Sequence, residues 1–184
     1  MLKALAIHPD MHCDAATRIE VGALRAGPSA LSLRYVVIGA IDDLILPEAR
    51  RSARTDELWR RTCFEAFMRA APDAAYAEFN FAPSTEWAAY RFSGYRAGKS
   101  VAREIVAPRI AVQATHNSFT LQASVDLSAL PDLSSDAPWR LGLSAVIEEA
   151  NGRLSYWALA HPPGKPDFHH SDCFTLELAP ASRA

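Results

Sequence analysis

At 184 residues, with 49% hydrophobic and 22% charged side chains and a formal net charge of −2, the chain has an ordinary globular composition and the length of a single domain, 1–184, with a core of its own. No basic stripe offers itself to a phosphate backbone, which argues against a nucleic-acid partner. The apolar run of MLKALAIHPDMHCD, broken at His8-Pro9, is too short for a membrane span or a signal-peptide core.

LKALAIH reads as a first strand, ended by Pro9-Asp10. TRIEVGAL, from Thr17 to Leu24, alternates and runs into the Ala26–Ser29 turn. LSLRYVVIG, from Leu31 to Gly39, alternates strongly, with Leu31, Leu33, Tyr35 and Val37 on one side. A polar segment broken by Pro47 follows, read as a solvated loop with a short helical turn near Glu48 to Arg51.

From Leu58 to Arg96 the chain concentrates two of its four tryptophans, three of its five tyrosines and five of its eight phenylalanines. CFEAFM places Cys63, Glu65 and Phe67 on one face and Phe64, Ala66 and Met68 on the other. YAEFNFA sets Glu78 and Asn80 opposite Phe79 and Phe81, and EWAAYRF follows at once. Period two means strands. A glutamate inside an aromatic strand needs water, a cation or a ligand once it leaves solvent, which directs attention to binding more than to chemistry.

Arg109–Ala114, Phe119–Asp126, Trp139–Glu148 and Leu154–Leu159 read as four more strands. His116-Asn117 turns the first pair and Asn151-Gly152 the second. HPPGKPDFHHSD, with three prolines, is irregular, and Cys173–Leu178 reads as a last strand. With no repeat or linker and little helix, the pattern predicts an all-β fold: two antiparallel sheets face to face, a β-sandwich of the jelly-roll or immunoglobulin-like kind. The three dispersed cysteines, Cys13, Cys63 and Cys173, are odd in number and lack zinc spacing. They point to unpaired thiols and a cytoplasmic location.

FEAFM, YAEFNFAPSTEWAAYRF and SYWALAHPPGKPDFHH resemble bacterial DOMON-like domains, relatives of the family 9 carbohydrate-binding modules, from about Leu58 to the C-terminus. The resemblance implies a non-catalytic β-sandwich that binds a sugar in one branch and haem in another. In the sugar branch two tryptophans clamp a terminal ring while a carboxylate holds its hydroxyls. Trp59 with Glu65 is similar to the first clamp and carboxylate, and Trp157 falls where the second clamp would. The HPPGKPDFHH segment departs from those modules, and no calcium-site residues are matched.

Each grouping has a structural alternative. A sugar presents C–H faces to indoles and hydroxyls to charged acceptors, which suits Trp59, Trp157 and Glu65, but tryptophan is also heavily buried in cores. Glu78, Trp87 and Arg91 form a second group with Asn80 and Tyr90: the floor of a concave sheet face, or a cross-strand Glu78–Arg91 pair. His161, Asp167, His169 and His170 lack a third confident metal donor. For haem, His116, His169, His170 or Met68 would serve as axial ligand. No cofactor or metal follows from these patterns. A small-molecule ligand, most simply a sugar or sugar-bearing metabolite, leads. A protein-interaction surface and a haem site are the other readings, and Arg91 is the candidate partner of a buried Glu65.

Overall fold

The computed structural model describes residues 2–70, 74–130 and 132–181. The described residues hold twelve strands, three short 3₁₀ turns and no α-helix: β1 Lys3–Ile7, β2 Ala16–Arg25, β3 Ala30–Gly39, β4 Cys63–Ala70, β5 Tyr76–Phe81, β6 Trp87–Phe92, β7 Ser100–Val101, β8 Arg109–Ala114, β9 Ser118–Asp126, β10 Trp139–Glu148, β11 Leu154–Ala158 and β12 Leu176–Leu178. Alternating β-branched and aromatic residues between Gly, Pro and Asn turns account for this choice.

The strands pair antiparallel in the order β7-β6-β5-β4-β10-β11-β1-β2-β3-β9-β8, with β12 added to β10. Two separate sheets were expected; the hydrogen bonding is instead continuous through β1. The first residues of β1 pair with β2 and its last two with β11, so one short strand serves both halves. The sheet then folds back on itself. Tyr35 of β3 packs on Phe64 of β4 at 5.1 Å between ring centroids, and Phe64 stacks with Phe119 of β9 at 5.8 Å. The Tyr35 hydroxyl donates to the Glu65 carbonyl at 2.7 Å. These strands are far apart in the sheet order, and their inward side chains form one core that includes Trp139, Phe79, Phe81, Leu121 and Leu141.

Two local expectations are corrected. The turn near Glu48 is not helical; 3₁₀ turns form at Ile41–Asp43 and Leu58–Arg60 instead. Cys173 and Phe174 are not in a strand: Ser171–Cys173 is a 3₁₀ turn, and β12 begins only at Leu176. That turn lies close on β10, where a Cβ at Gly142 would stand 3.1 Å from the Cys173 carbonyl oxygen. Glycine at this point lets the segment from His161 to Phe174 cover the sheet. All three cysteines are unpaired.

Candidate functional site

The two faces of β4 go to different places. Phe64, Ala66 and Met68 enter the core between the halves, while Phe67 joins a second apolar cluster with Tyr76, Tyr90, Phe92, Phe168 and Phe174 under the Pro-rich segment. Between that segment and the sheet is a cleft of about 360 Å³, lined by Trp59, Glu65, Glu78, Tyr156 and Phe168 with Phe67, Phe92, Val146, Pro166, Arg96, Lys99 and His169.

Register brings the two glutamates to this face. Glu65 pairs with Asn80 across β4–β5, and Phe67 pairs with Glu78, so both carboxylates project beside each other on neighbouring strands. Both are almost wholly buried, at 3% and 4% exposure. The Asn80 amide donates to Glu78 Oε1 at 2.7 Å. Among the described residues Glu65 Oε1 finds no hydrogen-bond partner, and neither does the hydroxyl of Ser144, which lies opposite Glu65 on β10. Burial, reinforced by the neighbouring Glu78 charge, pushes the Glu65 carboxyl well above the usual carboxylate range. Burial also raises Glu78, opposed by the Asn80 hydrogen bond and by Lys99 and Arg96.

The walls are aromatic and the rim carries charge. Trp59 is half-buried, edge-on to Tyr90 at 6.0 Å, and the exposed Lys99 ammonium lies 4.4 Å from the Trp59 ring and 4.0 Å from that of Tyr90. Tyr90 in turn donates to Asp56 at 2.7 Å. His169 sits against Phe67 and Phe92, at 4.9 and 5.1 Å. Its Nδ1 is 2.7 Å from the Tyr76 hydroxyl and its Nε2 is 3.9 Å from Glu78. Burial, helped by Arg96, holds its pKa down to about 4, so the imidazole is neutral at neutral pH. Asp167 fastens the covering segment: it accepts from Arg96 at 2.8 Å, from the Tyr95 hydroxyl and from the His169 amide at 3.1 Å.

Of the six residues singled out from sequence, the structure brings Trp59, Glu65 and Glu78 together and sends the other three elsewhere. Trp157 lies in the core between the halves, 6% exposed, its Nε1 donating to Ser155 at 3.0 Å. Its neighbour Tyr156 takes the place on the cleft, because side chains alternate along β11. Two facing indoles are therefore absent. Trp87 is also in that core, capped by the Arg54 guanidinium at 4.1 Å. Arg91 pairs with Ala77 in register while Glu78 pairs with Tyr90, so the expected Glu78–Arg91 and Glu65–Arg91 ion pairs do not form; Arg91 binds Glu104 on the other face.

The haem candidates do not converge: Met68 is fully buried between the halves, and His116 is exposed in the β8–β9 turn. Among the described residues no group of three His, Cys, Asp or Glu is placed to hold a metal ion. Sequence reading missed Tyr156, Phe168, Arg96, Lys99 and His169 as members of one site. The concentration of ring and charged residues in the two Gly- and Pro-bearing loops is the signal that marks Arg96, Lys99, Phe168 and His169; Tyr156 lies on β11 and carries no such mark.

No family model matches the sequence, and no curated protein matches it. Among solved structures, the chain is similar to a candidate carbohydrate-binding protein from Bacteroides uniformis, with a TM-score of 0.66 at 14% identity over 95% of this chain and 84% of that one. It is also similar to a family 9 carbohydrate-binding module from Caldicellulosiruptor kristjanssonii solved with cellotriose. There the TM-score is 0.52 at 12% identity, over 87% of this chain and 74% of that one. At such identities these likenesses establish the fold.

Proposed function

We propose that the folded-back sheet acts as the two-layer sandwich of a non-catalytic, DOMON-like binding module, and that its cleft takes a small carbohydrate or sugar-bearing metabolite. One observation carries this reading: two buried carboxylates form the floor of an open cleft whose walls are aromatic. Aromatic rings accept the C–H faces of a sugar, and carboxylates replace the water lost by its hydroxyls. Trp59, Tyr156 and Phe168 offer the rings, and Glu65 and Glu78 the acceptors. The fold shared with a module that holds cellotriose agrees with it. Within this reading the protein works in the cytoplasm, where its three thiols stay reduced.

Thermal-shift screening against mono- and disaccharides, nucleotide sugars and haem tests the proposal. A saccharide should raise the melting temperature of the native chain, and raise it less for Trp59→Ala at the same concentration. Stabilisation by haem with a Soret band, or by none of the compounds, would overturn it.

A further inference from the structure

The floor of the cleft is short of positive charge. No cation among the described residues forms an ion pair with Glu65, whose Oε1 is buried and unpartnered beside the equally unpartnered Ser144 hydroxyl. The two cationic side chains that line the cleft act on Glu78 from a distance and hold other partners: Arg96 binds Asp167, and Lys99 lies over Trp59 and Tyr90 at the exposed rim. His169, 3.9 Å from Glu78, is neutral at neutral pH. Arg91, which alternation leaves on the opposite face, is bound to Glu104. Two carboxylates side by side out of water repel each other, and such an arrangement is relieved by a proton or by a cation with hydrogen-bond donors.

We infer that the cation is brought by the ligand: the cleft selects a sugar bearing a primary amine, whose ammonium group enters between Glu65 and Glu78 with Ser144 as a further acceptor. An ammonium offers three donors and no acceptor, which matches a floor with an unpartnered carboxylate oxygen and a second carboxylate, and the unpartnered Ser144 hydroxyl behind them, opposite Glu65 on β10. The aromatic walls suit the same ligand, since rings attract cations as well as C–H faces.

This inference rests on the sugar-binding reading, and calorimetric titration of the full chain at neutral pH separates the two. The ligands are glucose, N-acetylglucosamine, and hexoses carrying a free amine at C2 or at C6. At least one amino sugar should bind about tenfold or more tightly than glucose, the effect of one charge-assisted hydrogen-bond set. N-acetylglucosamine, which keeps the nitrogen without its charge, should not share the gain. In Glu65→Gln, which weakens glucose as well by removing a charged acceptor, the ratio of amino-sugar to glucose affinity should fall to near unity; Glu78→Gln repeats the test if the first variant does not fold. Amino sugars binding no better than glucose, or a preference unchanged in the folded variants, would overturn the amine inference and leave sugar binding intact. Failure of all the sugars to bind would overturn both.

Discussion

The two halves of the folded sheet treat their outer faces in opposite ways. In β3 and β9 burial alternates strictly, residues such as Leu33 and Leu121 turned inward and Arg34 and Gln122 left in water. In β5 every residue is buried, and β4 and β10 are nearly so. The sequence of β4 nevertheless alternates polar and apolar just as β3 does, with Glu65 and Cys63 interleaved among Phe64, Ala66 and Met68. The same pattern thus means a wet face in one half and a roofed one in the other. What differs is the segment from His161 to Phe174, which lies over the second half and turns a sheet face of aromatic rings and two glutamates into a cleft with desolvated carboxylates. The candidate site lies where polar residues are covered without all being paired.

The comparison breaks first at its hinge of packing. Trp157→Ala, on the core face of β11, should cost about 3–5 kcal/mol in denaturant unfolding and leave the ligand affinity of the folded fraction unchanged. A selective loss of binding at normal stability would place Trp157 in the site after all.

Next come the charges of the roofed half, read from unfolding free energy against pH. Glu65 has a native pKa above its ordinary 4.5, so its contribution is complete below that value and is lost as pH rises through the native one. His169 has a native pKa of about 4 against an ordinary 6.5. Its contribution is complete above 6.5 and is lost as pH falls through 4. Each limb has a slope of up to about 1.4 kcal/mol per pH unit. Glu65→Gln should flatten the alkaline limb and His169→Gln make the acid limb shallower. Profiles identical to the native chain would mean that neither group is desolvated in solution.

Trp59→Ala sharpens the picture from the ligand side. Because the indole is only half-buried, its removal should act mainly on binding, weakening a sugar by roughly five- to tenfold, about 1–1.5 kcal/mol in titration calorimetry. A loss of stability without a loss of affinity would make it a structural residue. The smallest effect belongs to the wet half: Arg34→Ala and Gln122→Ala, opposite each other on β3 and β9, should shift stability by less than about 0.5 kcal/mol and leave binding untouched.

Most of the strands were legible because period two is a property of the backbone pleat, written into every alternating run. Alternation also determined that Glu65 shares a face with Phe67, and Glu78 with Asn80, whatever their surroundings. It did not reveal which face of β11 looks into the core, so Trp157 and Tyr156 exchanged the expected places. Nor did it set the pairing of β5 with β6, where a register of Glu78 with Tyr90 in place of Arg91 dissolved the expected ion pair. The continuity of the sheet through β1 and the covering of one half by the Pro-rich segment were likewise decided only in three dimensions. Parity along a strand is local chemistry, whereas register, the choice of inner face and the covering of the outer one depend on contacts between segments far apart in the chain. His169 against Phe67 and Asp167 against Arg96 are two such contacts, and they made a site of residues that the sequence leaves scattered.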